Sequence, residues 1–294
     1  MNNFKSIGNA TGTLTDDEIE FIENAITTTV RPLLVGRTLM PTRTLANAGF
    51  RNYTFYTEDD MGAATISMTG EEENQDAVSL DEKNVKIPII SKDYTLHWRD
   101  VLSRRNFGQD LNTQHAANAA RQVAEDEDML ILSGETALWP ALGIEGLASA
   151  TGRNTEAGGD WSANMITYVA AAKDELRTDG HYGPYKLIVT GTFYAQMEAP
   201  YSTTDRYYLD VVGDLVGGKQ NVLISNSLYA ADDGVADSAL LLDVSPGNFE
   251  LVVAQDVSTY LQQQANMNYK GKVWEAVVPA IKRPTAICEI TGLT

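Results

Sequence analysis

His181-Tyr182-Gly183-Pro184-Tyr185-Lys186-Leu187-Ile188-Val189 sets a Gly-Pro turn directly before a short apolar run. The turn residues bound that run, so Leu187-Ile188-Val189 reads as a short buried strand. Upstream, Trp161-Ser162-Ala163-Asn164-Met165-Ile166 opens a helix. Ser162 is expected to cap it and Trp161 to staple onto Ile166. Ile166, Val169, Lys173 and Leu176 follow along one side, and Lys173 and Arg177 sit toward the C-terminal end, as the helix dipole prefers. Gly180 then stops the helix. Downstream, Leu209 to Leu215 reads as a helix, and Ala239 to Val244 and Phe249 to Val253 as strands. Ser245-Pro246-Gly247-Asn248 between the two strands has turn chemistry.

Toward the N-terminus the periodicity changes twice. Residues 1–13 are rich in Asn, Gly and Thr and read as an arm without its own core. Leu14-Thr15-Asp16-Asp17-Glu18-Ile19 is a helix start, in which Thr15 and Glu18 form a capping box and Leu14 staples onto Ile19. Ile19, Ile22, Ile26 and Val30 continue at helical spacing, and Pro32 limits the helix. From Phe50 the pattern is strand-like: Tyr53 and Phe55 alternate with polar neighbours. A second run from Val85 carries Tyr94, Leu96 and Trp98 on one face. Glu58 to Asn84 between them is polar and acidic, with Glu71-Glu72-Glu73 near its middle, and has too little apolar surface to fold alone. It is expected either to be mobile or to lie as an extended hairpin on a neighbouring subunit. Asp110 to about Ser133 reads as the longest helix, with a small-residue stripe at Ala116, Ala119, Ala120 and Val123, and Gly134 at its end. Gly143 to Gly159 reads as loop.

The 294 residues can bury one large core or two smaller ones, and 43% hydrophobic content excludes wholesale disorder. No run of about 18 apolar residues suits a membrane span. Met1-Asn2-Asn3-Phe4-Lys5 lacks the apolar stretch of a secretory signal, so an intracellular, soluble product is expected. The lone Cys288 excludes an intrachain disulfide and reads as a small buried hydrophobe. A net charge of −18, from 40 acidic and 22 basic residues, argues against a phosphate-gripping nucleic-acid binder. It leaves open a container whose wall repels phosphate, and an adaptation to high salt.

No constellation of catalytic residues emerges. His97, His115 and His181 fall in three different kinds of segment. Glu125-Asp126-Glu127-Asp128 cannot converge on one ion from consecutive helical positions, so a solvated or interface-pairing stretch is expected instead. Glu58-Asp59-Asp60 and Glu71–Glu73 could hold calcium between subunits but lack the spacing of an EF-hand loop. Gly217-Gly218-Lys219 lacks the rest of a phosphate-binding loop, and the sequons at Asn9 and Asn52 have no secretory signal beside them. No catalytic residue, metal or cofactor is expected.

Three segments together, His181 to Val189, Gly247-Asn248-Phe249-Glu250-Leu251-Val252-Val253-Ala254-Gln255-Asp256 and Lys272-Val273-Trp274-Glu275-Ala276-Val277-Val278-Pro279, resemble the encapsulin and tailed-virus capsid group in order and spacing. Ala124-Glu125-Asp126 and Gly143-Ile144-Glu145-Gly146 extend the likeness. The resemblance implies an α+β chain of the Hong Kong 97 phage-type capsid fold. Its parts would be an arm and first helix at 1–47, an extended hairpin (the E-loop) at 48–95, and a peripheral domain with a long spine helix at 96–135. An axial domain would occupy 136–255, a peripheral return 256–282 and a last axial strand 283–294. Two functions share this fold, and the N-terminal arm and long acidic hairpin favour a major capsid protein of a tailed virus. Such a protein would build pentamers and hexamers of an icosahedral virion shell in the host cytoplasm around double-stranded DNA, without sequence-specific binding. Scaffold, decoration and portal proteins would be candidate partners, and no membrane is involved. The alternative is an encapsulin shell enclosing cargo enzymes. A third class, an enzyme or ligand binder on an unrelated α+β fold, stays open. Intersubunit contacts are expected from Met61, Ile66, Met68, Glu71, Glu72, Glu73 and Val78 of the hairpin, and from Tyr201 and Arg206 in a loop near a capsomer axis.

Overall fold

The structure is a computed structural model that describes residues 14–30, 35–58, 68, 80–107, 113–135, 142–202, 206–225, 227–228 and 238–294. The first element among the described residues is helix α1 (Asp16–Val30), whose capping box forms as the sequence predicts. The Thr15 N–H donates to Glu18 Oε2 at 2.9 Å, and the Glu18 N–H donates to Thr15 Oγ1 at 3.4 Å. Ile22 and Ile26 are buried on its inner face.

Strands β1 (Thr42–Thr44), β2 (Asn52–Glu58), β3 (Leu80–Lys86) and β4 (Ile90–Leu96) follow, then helices α2 (Trp98–Phe107) and α3 (Gln114–Leu132). The later elements are β5 (Asn154–Ala157), α4 (Trp161–Thr178), β6 (Tyr185–Val189), α5 (Gly191–Met197), α6 (Tyr208–Val216), β7 (Val222–Ile224), β8 (Ala239–Asp243), β9 (Phe249–Gln263), β10 (Tyr269–Ile281) and β11 (Ile287–Thr291). A four-stranded sheet has the order β1-β9-β10-β4, a five-stranded sheet the order β5-β11-β8-β6-β7, and β2 pairs with β3 alone.

The four-stranded sheet is covered by α1 and α3. Ala116, Ala119, Ala120 and Val123 of α3 pack against Tyr94, Leu96, Tyr269 and Val273, so the small-residue stripe lets the helix lie close to the strands. Gly271 of β10 lies under the Tyr94 ring, where an added Cβ would stand 2.2 Å from the ring carbon. The five-stranded sheet is buried on both faces, which explains its nearly continuous apolar strands. Leu187, Val189, Leu241, Cys288 and Ile290 face α4 and α5. Their neighbours Ile188, Leu240, Leu242 and Ile287 face the other way, onto Phe249, Leu251, Val253 and Val277 of the first sheet. That second layer joins the two halves. Burial pushes the Cys288 thiol up to about 12, in keeping with its reading as a small core residue.

Several local expectations need correction. Asp160, not Ser162, caps α4: its carboxylate accepts from the Ala163 N–H at 3.4 Å and from the Ser162 hydroxyl at 2.7 Å. Trp161 is therefore the first helical residue rather than a staple outside the helix. It is fully buried, its Nε1 donates to the Phe193 carbonyl at 3.2 Å, and its ring lies 5.8 Å from the Phe193 ring. Trp98 opens α2 instead of ending a strand, and the run beginning before it splits into β3 and β4 at Ile87-Pro88-Ile89. The glycine-rich passage contains β5, drawn into a strand by parallel pairing with β11. The described part of the long helix starts at Gln114, and residues 108–112 lie outside the described residues.

Trp161 closes the space between α4 and α5, so Trp161→Ala should cost about 3–5 kcal/mol of stability. Trp161→Phe should cost less, having lost only the indole hydrogen bond and part of the volume. Denaturant midpoints of the two variants check this order.

Candidate functional site

The expected contact residues fall into two groups. Met61, Ile66, Glu71, Glu72, Glu73 and Val78 lie outside the described residues, as do the arm residues 1–13. Met68 is fully exposed. Tyr201 and Arg206 meet on the loop between α5 and α6: Pro200 pairs with Tyr207, and the Tyr201 N–H donates to the Arg206 carbonyl at 2.7 Å. The Tyr201 ring stands edge-on to Tyr208 at 5.2 Å, and Arg206 pairs with Asp214. This loop is thus braced from within. The hairpin emerges from the other half of the molecule. Its inner face, Phe55 with Tyr53 and Val85, packs near Leu130 and Val252, while Tyr56 on the opposite face is 56% exposed.

The three histidines stay apart. His97 and His115 are exposed, and His181 is buried in the five-stranded half. His181 Nε2 lies 3.0 Å from Thr285 Oγ1, and Nδ1 lies 3.6 Å from Asp243 Oδ2. This order of hydroxyl, imidazole and carboxylate suggests acyl transfer, which also needs free N–H donors for an oxyanion. The neighbouring N–H groups of Ala286 and Ile287 are already bonded to the carbonyls of Arg283 and Pro284. Asp243 is likewise engaged by the N–H of Gly183 and by the N–H and hydroxyl of Ser245. The cluster ties the Gly183-Pro184 turn to β8 and the following strand; it is a brace.

The acidic run on α3 behaves differently from expectation. Its four residues do point in different directions. Glu125 pairs with Arg121 and Gln122 at the surface, both at 2.7 Å, and Asp126 is half-buried. Glu127 and Asp128, however, are buried rather than solvated. Asp128 accepts from the N–H groups of Val35 and Gly36 at 3.1 and 2.8 Å. Burial pushes its carboxyl up to about 6, against the pull of those two amides. Glu127 accepts from Arg37 Nε at 2.7 Å. The same guanidinium reaches Asp256 of β9 at 2.8 Å and Glu275 of β10 at 3.1 Å.

Glu275 sits where the β9–β10 ladder shifts register, between Trp274 and Ala276. Such a bulge re-aims a side chain, here into the core. Burial works against the Arg37 charge, but Glu127 and Asp256 outweigh it and hold the guanidinium above its ordinary value. Sequence reasoning missed Arg37 and Glu275 as structural centres. The available signal was a charged residue at an inward position of an apolar run, as in Val273-Trp274-Glu275-Ala276-Val277.

This two-sheet architecture, with its hairpin and long helix, places the chain in a known fold class. It matches a virus-like particle from Pyrococcus furiosus with a TM-score of 0.69 at 16% identity, covering 92% of this chain and 98% of that one. It also matches the capsid of Myoviridae phage XM1 with a TM-score of 0.66 at 12% identity, covering 89% and 92%. The fold is the Hong Kong 97 phage-type capsid fold.

The family is narrower: residues 9–278 match the family described as encapsulating protein for peroxidase, and the chain belongs to it. The Type 1 encapsulin shell protein EncA of Myxococcus xanthus is 28% identical over 288 residues, 97% of this chain and 96% of that protein. The diheme-cytochrome-encapsulin shell fusion protein of Kuenenia stuttgartiensis is 27% identical over 271 residues, 92% of this chain and 71% of that one.

These findings overturn the viral expectation. The family match runs from residue 9 through the end of the arm, the first helix and the entire acidic hairpin, so the hairpin that favoured a virus falls within the encapsulin family. A virion shell around double-stranded DNA, with scaffold, decoration and portal partners, is therefore not the role of this chain.

Loss of the Asp128 carboxylate would leave the buried Gly36 N–H and the partly buried Val35 N–H without this acceptor. Asp128→Ala should destabilise by about 2–4 kcal/mol. Glu125→Ala, three residues earlier in the same run, should cost about 0.5 kcal/mol or less, as expected of an exposed ion pair. Urea titration of both variants separates the buried from the solvated half of the run.

Proposed function

We propose that this chain is the shell subunit of an encapsulin compartment, self-assembling into a closed homo-oligomeric shell that encloses protein cargo. The reading rests chiefly on its end-to-end match to an encapsulin shell protein, 97% of one chain against 96% of the other. The family description names a peroxidase as the enclosed protein, and the Kuenenia relative joins a diheme cytochrome to its shell. A redox enzyme is accordingly the cargo class favoured here. The net charge of −18 is in keeping with protein contents, since a polyanion is retained by basic surface. The subunit's own role is structural rather than catalytic.

In this reading 1–47 forms the arm and first helix, 48–95 the E-loop, 96–135 and 256–282 the peripheral domain, and 136–255 with 283–294 the axial domain. The four-stranded sheet with α3 supplies the peripheral core and the five-stranded sheet with α4 to α6 the axial core. Met61 to Val78 would lie on a neighbouring subunit, and the Tyr201–Arg206 loop near a symmetry axis. Closed symmetry then turns many modest contacts into one stable shell.

Deletion of residues 62–77 should abolish closed particles while leaving soluble subunits or capsomers, read by gel filtration and electron microscopy. Normal particles from that deletion would remove the hairpin from the assembly mechanism. Purified native particles should be closed and hold protein. A particle filled with DNA behind a unique portal vertex would refute the compartment reading.

A further inference from the structure

Glu127 and Glu275 each have no exposed side-chain surface, yet they approach the same guanidinium from two elements. Arg37 takes one oxygen from each: Nε donates to Glu127 Oε1 at 2.7 Å and Nη2 to Glu275 Oε2 at 3.1 Å. The remaining oxygens, Glu127 Oε2 and Glu275 Oε1, are buried and meet no donor among the described residues. Nε and Nη2 belong to one guanidinium, so the two carboxyl groups are held side by side against it. Two carboxylate oxygens facing one another out of water repel strongly, and a proton between them turns the repulsion into a hydrogen bond.

We propose that Glu127 and Glu275 share one proton, so that the pair carries a single negative charge against Arg37, and that this proton is a pH-sensitive lock on the turn at Gly36–Thr38. The charge balance supports it. With the proton present, Arg37 faces one buried negative charge and Asp256, whose side chain is 70% exposed and hydrated. Without it, two buried negative charges face one guanidinium. The other charged groups nearby do not compensate. Asp128, on the same helix, is occupied by the Val35 and Gly36 amides. Asp126 is only half-buried and is influenced by the Lys92 charge, and the β4 residue paired with Glu275 is the uncharged Ile90. From β6, Lys186 donates to the Thr38 carbonyl at 2.5 Å rather than to either glutamate.

The direction of the pH effect follows. Burial first, and the charge of Glu127 second, raise the Glu275 carboxyl from its ordinary 4.5 to about 9. The folded chain therefore holds a proton that the unfolded chain releases. This contribution to stability is complete below 4.5 and is lost as pH rises toward about 9. Through that window the group alone raises the unfolding constant about tenfold per pH unit.

Glutamine at either position mimics the protonated acid and has no proton to lose. Thermal midpoints of full-length shells should fall between pH 6 and pH 9 in the wild type and fall less in Glu275→Gln or Glu127→Gln. The double substitution, which leaves Arg37 no buried anion, should lower the midpoint by much more than the two single changes combined. Infrared spectroscopy of wild-type shells at pH 8 supplies a measurement that needs no variant to fold. It should show the carbonyl band of a protonated carboxylic acid, absent from each single variant that assembles. Absence of that band in the wild type, or a Glu275→Gln penalty that is the same at every pH, would mean a plain ionised cluster and overturn the proposal.

Discussion

One guanidinium gathers segments that are far apart in the chain. Arg37 bonds to side chains 90, 219 and 238 residues away, on α3, β9 and β10. Burying such a group is costly unless every donor and most of the surrounding charge are matched. Three acidic side chains take one bond each from Nε, Nη1 and Nη2, and the local geometry follows from them. The register shift at Glu275 turns that side chain inward, and Asp128 fixes the Val35 and Gly36 amides so that Arg37 enters at one angle. Gly36 itself has no room for a side chain, since a Cβ there would stand 2.7 Å from Ile131 Cδ1. In the connection between α1 and β1, this polar geometry at Val35–Arg37 stands beside the apolar burial of Leu39 and Met40.

The rest of the subunit depends on a different economy of contacts. The β9–β10 pair is long enough to serve both cores. Its Phe249 end faces the five-stranded sheet through Leu251, Val253 and Val277, and its Tyr269 end lies against α3 through Val273. The Arg37 cluster sits between these two ends, at the register shift. A force applied to one half is thus carried to the other through a continuous ladder with one polar node.

Local chemistry made much of this readable in advance. Thr15 and Glu18 reciprocate across three residues, and Gly134 and Gly180 adopt the positive φ that ends a helix, at +79° and as +81°. Such features need no knowledge of distant partners. The errors arose where a partner decides. Ser162 and Asp160 are both good caps, and only the docking of Trp161 into the pocket beside Phe193 selects Asp160. Trp98 continues the alternation of Tyr94 and Leu96 in sequence, but the ladder with β10 ends at Leu96 paired with Tyr269. Residues 154–157 look like loop until β11 arrives beside them. Glu127 and Asp128 look like surface until Arg37 and the Val35 and Gly36 amides are brought over them.

Function was less legible than fold for a physical reason. The residues that carried the family resemblance, from Leu187 to Val189 and from Phe249 to Val253, are core residues. They shape the scaffold and touch nothing that a shell would enclose. A wall built on this core can surround a genome or an enzyme without altering one of those side chains, so their pattern is neutral between the two. The acidic hairpin was a poor discriminator as well, because the family match runs through it. What separates the readings is similarity distributed along the whole chain, including surface and connecting segments whose residues answer to the contents and neighbours of a particular shell.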